Sequence, residues 1–262
     1  MDFTKLLNDL DLPFDVPSLM EERRHLFSAH ADLIAGMTVY PGATEAYAEL
    51  EKALGDDDMD MLACQLYAAS RTREKYRIMG ISDRIFLDTM GCFRRFLMET
   101  ERRTGKVCFD RGWWSYRQLS MRLFRVGQLE YEMLQEPHAI SLHIPSDSRI
   151  TPEEVDASLL SAREFFTRHF PDYAEAPIGC ESWLLSPVLR EHLDFDSRIL
   201  AFQNRFMILH ADPEPNDVLE WLFSVPDDTA PEDLPETTSL QRKVKKHMLS
   251  GGSIGVARGV MI

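Results

Sequence analysis

The chain has 262 residues, 44% hydrophobic and 27% charged, enough for one large domain or two modest ones, each with its own core. Its formal net charge is −14, and a broadly anionic surface repels nucleic-acid phosphates and acidic lipid, which argues against general nucleic-acid or membrane binding. Cys64, Cys92, Cys108 and Cys180 form no C-x-x-C pair, no apolar run approaches membrane-spanning length and no export segment opens the chain, so the sequence reads as a cytoplasmic protein with reduced thiols.

Residues 1 to about 110 read as helices. Leu19, Leu26, Phe27, Leu33, Ile34 and Met37 form a helical stripe across 17–37, and Phe86, Met90, Phe93 and Leu97 form another across 82–104. Ser82 suits the N-cap of the second stripe, and Gly80 and Gly105 stand where helices stop. Asp56-Asp57-Asp58 opens a further helix, since carboxylates suit the positive end of the macrodipole.

From about 120 the period changes to two. Leu129, Tyr131 and Met133 alternate with Gln128, Glu130 and Glu132, giving a half-buried strand. Phe124 and Val126 sit on the opposite parity, which predicts a bulge at Gly127. Gln135-Glu136-Pro137 reads as a turn, and Ile140, Leu142 and Ile144 as a second strand. Thr151-Pro152-Glu153-Glu154 has the pattern of a capping box with Pro at N1 and starts a helix that Pro171 stops. A strand at 178–185, a short helix from Ser186-Pro187, a helix near 197–205 and strands near 205–211 and 218–225 follow, the last two joined by the polar turn 212–216. Thr238-Ser239-Leu240-Gln241 is a second capping box, its helix ending at Gly251-Gly252, and a strand occupies 253–261. Helices followed by a mixed, largely antiparallel sheet with flanking helices make the chain α+β, with a helical domain over 1–118 and a mixed domain over 119–262.

The order of elements after 119 resembles the C-terminal part of the GNAT acyltransferase fold. The run Cys180-Glu181-Ser182-Trp183-Leu184-Leu185-Ser186-Pro187, the pair Phe202-Gln203 and the run Thr238-Ser239-Leu240-Gln241-Arg242 resemble a bacterial family of acyltransferase-domain proteins with a helical N-terminal domain and a GNAT-like C-terminal domain. The resemblance implies transfer of an acyl group from acetyl-CoA, a longer acyl-CoA or a carrier thioester to an amine or similar acceptor. Donor and acceptor would be small molecules. The cleft would open between strands 139–144 and 178–185, with Trp183 and Gln203 lining it.

In such a fold the loop before the 152–169 helix holds the CoA pyrophosphate. Here that loop is Ile144-Pro145-Ser146-Asp147-Ser148-Arg149-Ile150-Thr151. It has no glycine to bring backbone amides close to phosphate, Pro145 has no N–H, and Asp147 adds a negative charge. Ser146, Ser148, Arg149, Ile150 and Thr151 are the substitutes the sequence offers. The departure keeps a second reading open, a catalytically inactive GNAT-like module that binds a ligand or another protein.

Acyl transfer to an amine needs a base, donors for the thioester carbonyl and a proton for the leaving thiolate. His143, on the polar parity of its strand with Ser141, is the base candidate; it reads equally as an ordinary histidine on the sheet's second face. Glu181 is an alternative base. Cys180 and Ser182, on the other parity, can supply a proton, although a free cysteine is most often a small buried hydrophobe. Cys180 as nucleophile with His143 as base would be a separate, ping-pong chemistry that the spacing does not require. Arg242, Lys243, Lys245, Lys246 and His247 form a basic cluster that suits either a CoA 3′-phosphate or the negative end of their own helix. The eight histidines include no H-x-x-x-H pair and no cysteines lie at ligand spacing, so no metal site is expected.

Overall fold

A computed structural model describes residues 3–55, 57–214 and 216–262. The chain divides into two compact units, Met1–Val126 and Gly127–Ile262.

The first unit holds helices α1 (Phe3–Asp9), α2 (Val16–Glu22), α3 (His25–Ala29), α4 (Ala31–Gly36), α5 (Ala43–Leu54), α6 (Asp58–Ile78), α7 (Asp83–Met90), α8 (Cys92–Thr104) and α9 (Gly112–Leu119), then strand β1 (Leu123–Val126). Its axis is α6. Met61, Leu62, Ala63, Cys64, Leu66, Ala68 and Ala69 are all buried, and no residue over 61–70 is exposed, which places the first half of the helix in the middle of the bundle. Asp57 caps α6, its carboxylate accepting the amides of Met59 and Asp60; Asp56, the first of the three acids, lies outside the described residues. Two buried polar groups of α6 are satisfied by α9: Gln65 donates to the Gly112 carbonyl at 2.9 Å and Thr72 to the Leu119 carbonyl at 2.7 Å.

Two helical expectations change. The 17–37 stripe is three short helices, with breaks at Arg23–Arg24 and His30. The 82–104 stripe is two, interrupted at Gly91, while Ser82 caps the first through the Ile85 amide as its position predicts. Both stripes keep their apolar spacing across the breaks, which is why periodicity alone joined them.

The second unit contains β2 (Leu129–Leu134), β3 (Ala139–His143), α10 (Pro152–His169), β4 (Ile178–Ser182), α11 (Arg198–Gln203), β5 (Phe206–Asp212), α12 (Ser239–Leu249) and β6 (Val256–Met261). Its strands run in the order β2-β3-β4-β6-β5. β3 and β4 are parallel and the other neighbours antiparallel. The parallel pair follows from the α10 crossover between them.

Registers assign the faces. Partners share a face, so Tyr131, Leu142 and Cys180 lie on one side and Glu130, Glu132, Ser141, His143, Glu181 and Arg258 on the other. The first side packs on α10: the Tyr131 ring meets Phe166 edge-on at 6.4 Å, and its hydroxyl pairs with that of Ser158 at 2.9 Å. A smaller core of Leu189, Val218, Leu219, Phe223, Leu234, Val244 and Ile254 lies under α12.

The bulge expected at Gly127 is a turn, Gly127–Gln128, with Gly127 at φ +67; the parity slip marks the end of one strand and the start of the next. The strand expected at 218–225 is a π-helical turn, Leu219–Phe223. Val218, Leu219, Leu222 and Phe223 pack into the small core, and that i, i+1, i+4, i+5 spacing is helical. The polar turn before it includes Pro215, outside the described residues. The 178–185 strand ends early, at Ser182, and continues as 3₁₀ turns, Trp183–Leu185 and Pro187–Glu191. Thr151 caps α10 through the Glu154 amide with Pro152 at N1, and Thr238 with Gln241 makes a two-armed box at α12. Among the described residues no helix is long and apolar enough to cross a membrane.

Candidate active site

The β3–β4 ladder is short. Ile140, Ser141 and Leu142 pair with Ile178, Gly179 and Cys180, and the pairing ends there although both strands continue. β4 keeps its partners on the other edge, where Glu181 and Ser182 face Arg258 and Ala257 of β6. The β3-side edge of β4 is therefore released beyond Cys180, and in a strand alternate backbone N–H and C=O groups point to that edge. His143 and Glu181 stand on either side of this release point, on the same face.

On that face the structure brings together a pair the sequence did not join. His143 Nε2 lies 3.0 Å from Glu132 Oε2. His143 is partly exposed, whereas Glu132 is 4% exposed and its neighbour Glu130 2%. Both glutamates read in the sequence as outward residues of a half-buried strand; the structure buries them. With Nε2 carrying the proton, His143 donates to Glu132 Oε2 and its lone pair lies on Nδ1.

Glu181 is exposed and ion-paired with Arg258 at 2.6 Å. Asp217 lies in its field: burial first, then the charges of Asp227 and Glu181, raise the Asp217 carboxyl above its usual range. Glu181 is thus close enough to Asp217 for its charge to be felt there, although Arg258 pairs with it.

Cys180 is on the opposite face, 2% exposed. Burial, with the Glu181 charge second, raises its thiol well above the ordinary range, so it stays protonated and shielded. The faces separate it from His143. Ser182 Oγ accepts the Leu184 amide at 3.1 Å, a bond that leaves the hydroxyl proton available.

The loop before α10 is bonded internally. The Ser148 amide reaches the Pro145 carbonyl at 3.0 Å, and the Arg149 amide reaches Gln128 Oε1 at 2.9 Å. Ser148 Oγ donates to the Gln128 carbonyl, and Thr151 Oγ1 receives the Glu154 amide. Arg149 is well exposed, its guanidinium paired with Glu154 at 2.6 Å. Ser146 is exposed and Ile150 half-buried. Two amides that the sequence offers to a pyrophosphate are thus already bonded.

Trp183 is half-buried against the small core. Gln203, 1% exposed, donates to the Leu184 and Ser186 carbonyls at 2.8 and 3.0 Å, holding α11 against the turns that follow β4. Of the residues the sequence singled out, His143 and Glu181 share a face, Cys180 and Ser182 share the other, and Gln203 meets backbone. Among the described residues no group of three or more His, Cys, Asp or Glu side chains is placed to hold a metal ion.

The family profile described as "GNAT-like C-terminal domain" matches residues 123–261, and that of the "N-acyltransferase N-terminal domain" matches 1–121. No curated protein sequence matches the chain significantly. Among solved structures, an acyltransferase in complex with decanoyl-CoA and teicoplanin is 23% identical, with TM-score 0.82 over 98% of this chain and 86% of that one. An acyltransferase in complex with CoA and 10C-teicoplanin is 22% identical, with TM-score 0.81 and the same coverage. With over half its length under one profile and nearly all the rest under the other, the chain belongs to the family that joins an N-acyltransferase N-terminal domain to a GNAT-like C-terminal domain.

Proposed function

We propose that the protein transfers an acyl group from acyl-CoA to an amine, with His143 as general base. The observation that carries this reading is the Glu132–His143 contact beside the point where β3 and β4 stop pairing. The released edge of β4 offers backbone donors to an extended pantetheine arm. The acceptor nitrogen attacks the thioester carbonyl, His143 Nδ1 takes its proton, the C–S bond breaks, and the sulfur leaves as a thiolate that water protonates to the thiol.

The solved acyltransferases with decanoyl-CoA favour a medium-chain donor over acetyl-CoA. The second reading, a GNAT-like module that binds without catalysis, is favoured by the glycine-free loop and its bonded amides. A thermal-shift titration tests the step both share with the donor. Decanoyl-CoA at 100 times its Kd should add about 2.7 kcal/mol of stability, a rise in Tm of roughly 5 °C or more. Turnover with an amine acceptor then separates catalysis from binding. No shift with any acyl-CoA at millimolar concentration contradicts the proposal.

A further inference from the structure

Arg242–His247 is the densest run of cations in this acidic chain, and the helix sorts it by direction. Arg242 donates to the Glu236 carbonyl, and Lys245 to those of Glu232 and Leu234, with an ion pair to Glu236 at 3.0 Å. These two cations tie down the loop before α12. Lys243, Lys246 and His247, with Ser250 one turn on, occupy another face at i, i+3, i+4 and i+7. They line a cavity of about 640 Å³ whose other wall is Glu191, His192, Leu193 and Asp194.

The rings of His192 and His247 lie 4.7 Å apart. His247 Nε2 is 3.2 Å from the Ser253 carbonyl, while His192 Nε2 is shielded from water with no hydrogen-bond partner among the described residues. Lys243 makes a long contact, 3.4 Å, with the exposed Asp194 carboxylate, and Lys246 makes no ion pair among the described residues. Two lysines and two acids cancel, so the histidine pair sets the sign of the cavity. Burial first, and the neighbouring His247 second, hold His192 below the ordinary histidine range. The cavity is near neutral while His192 is uncharged and gains positive charge when that ring is protonated.

We propose that this cavity binds a phosphate-type dianion, either a free oxyanion or the phosphate monoester end of a larger ligand, between Lys243, Lys246 and the His192–His247 pair. A dianion lying against the edges of both rings offsets the repulsion that opposes a positive charge there, and the lysines add charge-assisted donors from the same side. The site stands independently of the proposed acyl transfer.

Sulfate is the probe for pH, because it stays dianionic where phosphate itself titrates. Titrated into the full chain by calorimetry, sulfate should bind roughly threefold or more tightly at pH 6 than at pH 8. The K243A/K246A variant should weaken it roughly tenfold or more, and H192N/H247N should abolish the pH dependence. Equal wild-type affinity at the two pH values, or affinity unchanged in K243A/K246A, overturns the proposal. CoA and dephospho-CoA distinguish the sources. If K243A/K246A weakens sulfate and CoA but not dephospho-CoA, the site takes the monoester of a larger ligand; if it weakens sulfate but neither nucleotide, the site takes a free oxyanion.

Discussion

Replacing His143 with alanine should lower the turnover of an acyl-CoA-dependent reaction by roughly 10²- to 10⁴-fold, the usual contribution of a positioned general base. The acyl-CoA thermal shift should stay close to wild type, because the ring is partly exposed and its hydrogen bond runs to a side chain of the protein, Glu132. Glu132 is a positioning residue in this scheme. Glu132→Gln keeps the shape but replaces the carboxylate that fixes the His143 tautomer, so kcat should fall by roughly tenfold or more while KM changes little. Glu132→Asp should rescue part of the loss. His143→Ala with more than about a third of wild-type turnover would remove His143 from the chemistry, a loss far below what general-base catalysis contributes.

Gly255→Ala should be among the most destabilising single substitutions in the second unit. Gly255 has φ +65, and a Cβ there would stand 2.1 Å from the Asp212 carbonyl oxygen and 2.7 Å from Pro213 Cα. Both obstacles are backbone at the β5 exit, so no side-chain rotation relieves them. The left-handed conformation alone costs an L residue about 1–2 kcal/mol, and displacing the β5–β6 junction raises the total to roughly 3 kcal/mol or more. Calorimetry should show Tm lower by roughly 6–12 °C. Gly251→Ala is the control: φ is +85 but nothing lies within 4 Å of the added carbon, so only the conformational cost remains. Equal losses in the two variants would show that the close approach at Gly255 is not what matters.

The sequence was most legible where local chemistry decides the outcome. Thr238 and Gln241 form both arms of a capping box because hydroxyl and amide need only reach backbone groups three residues away. Thr151-Pro152 and Ser82 start helices for the same reason. Legibility failed where one pattern serves two structures. Val218, Leu219, Leu222 and Phe223 pass for a buried strand until the small core beneath α12 shows them on one side of a helical turn.

The candidate site was legible in part. His143 stood out by residue type and parity. Glu132 did not, because the alternation Leu129-Glu130-Tyr131-Glu132-Met133 fixes which face a carboxylate takes but not whether that face is covered. Its opposition to Ser141, one step from His143, depends on the β2–β3 register, and register is set by pairing across the whole hairpin. Gln203 carried a readable signal: a polar residue between Phe202 and Phe206 needs a buried partner. The sequence left open whether that partner was a ligand; the structure supplies two backbone carbonyls.

The most direct measurement is a crystal structure of the protein with decanoyl-CoA. The pantetheine arm should run along the released edge of β4 beyond Cys180, with the thioester carbonyl carbon on the face that carries His143. An acceptor nitrogen could then sit about 3–3.5 Å from that carbon and within hydrogen-bond reach of His143 Nδ1. Density for the acyl-CoA elsewhere, or side chains filling the space between the ends of β3 and β4, would contradict the account.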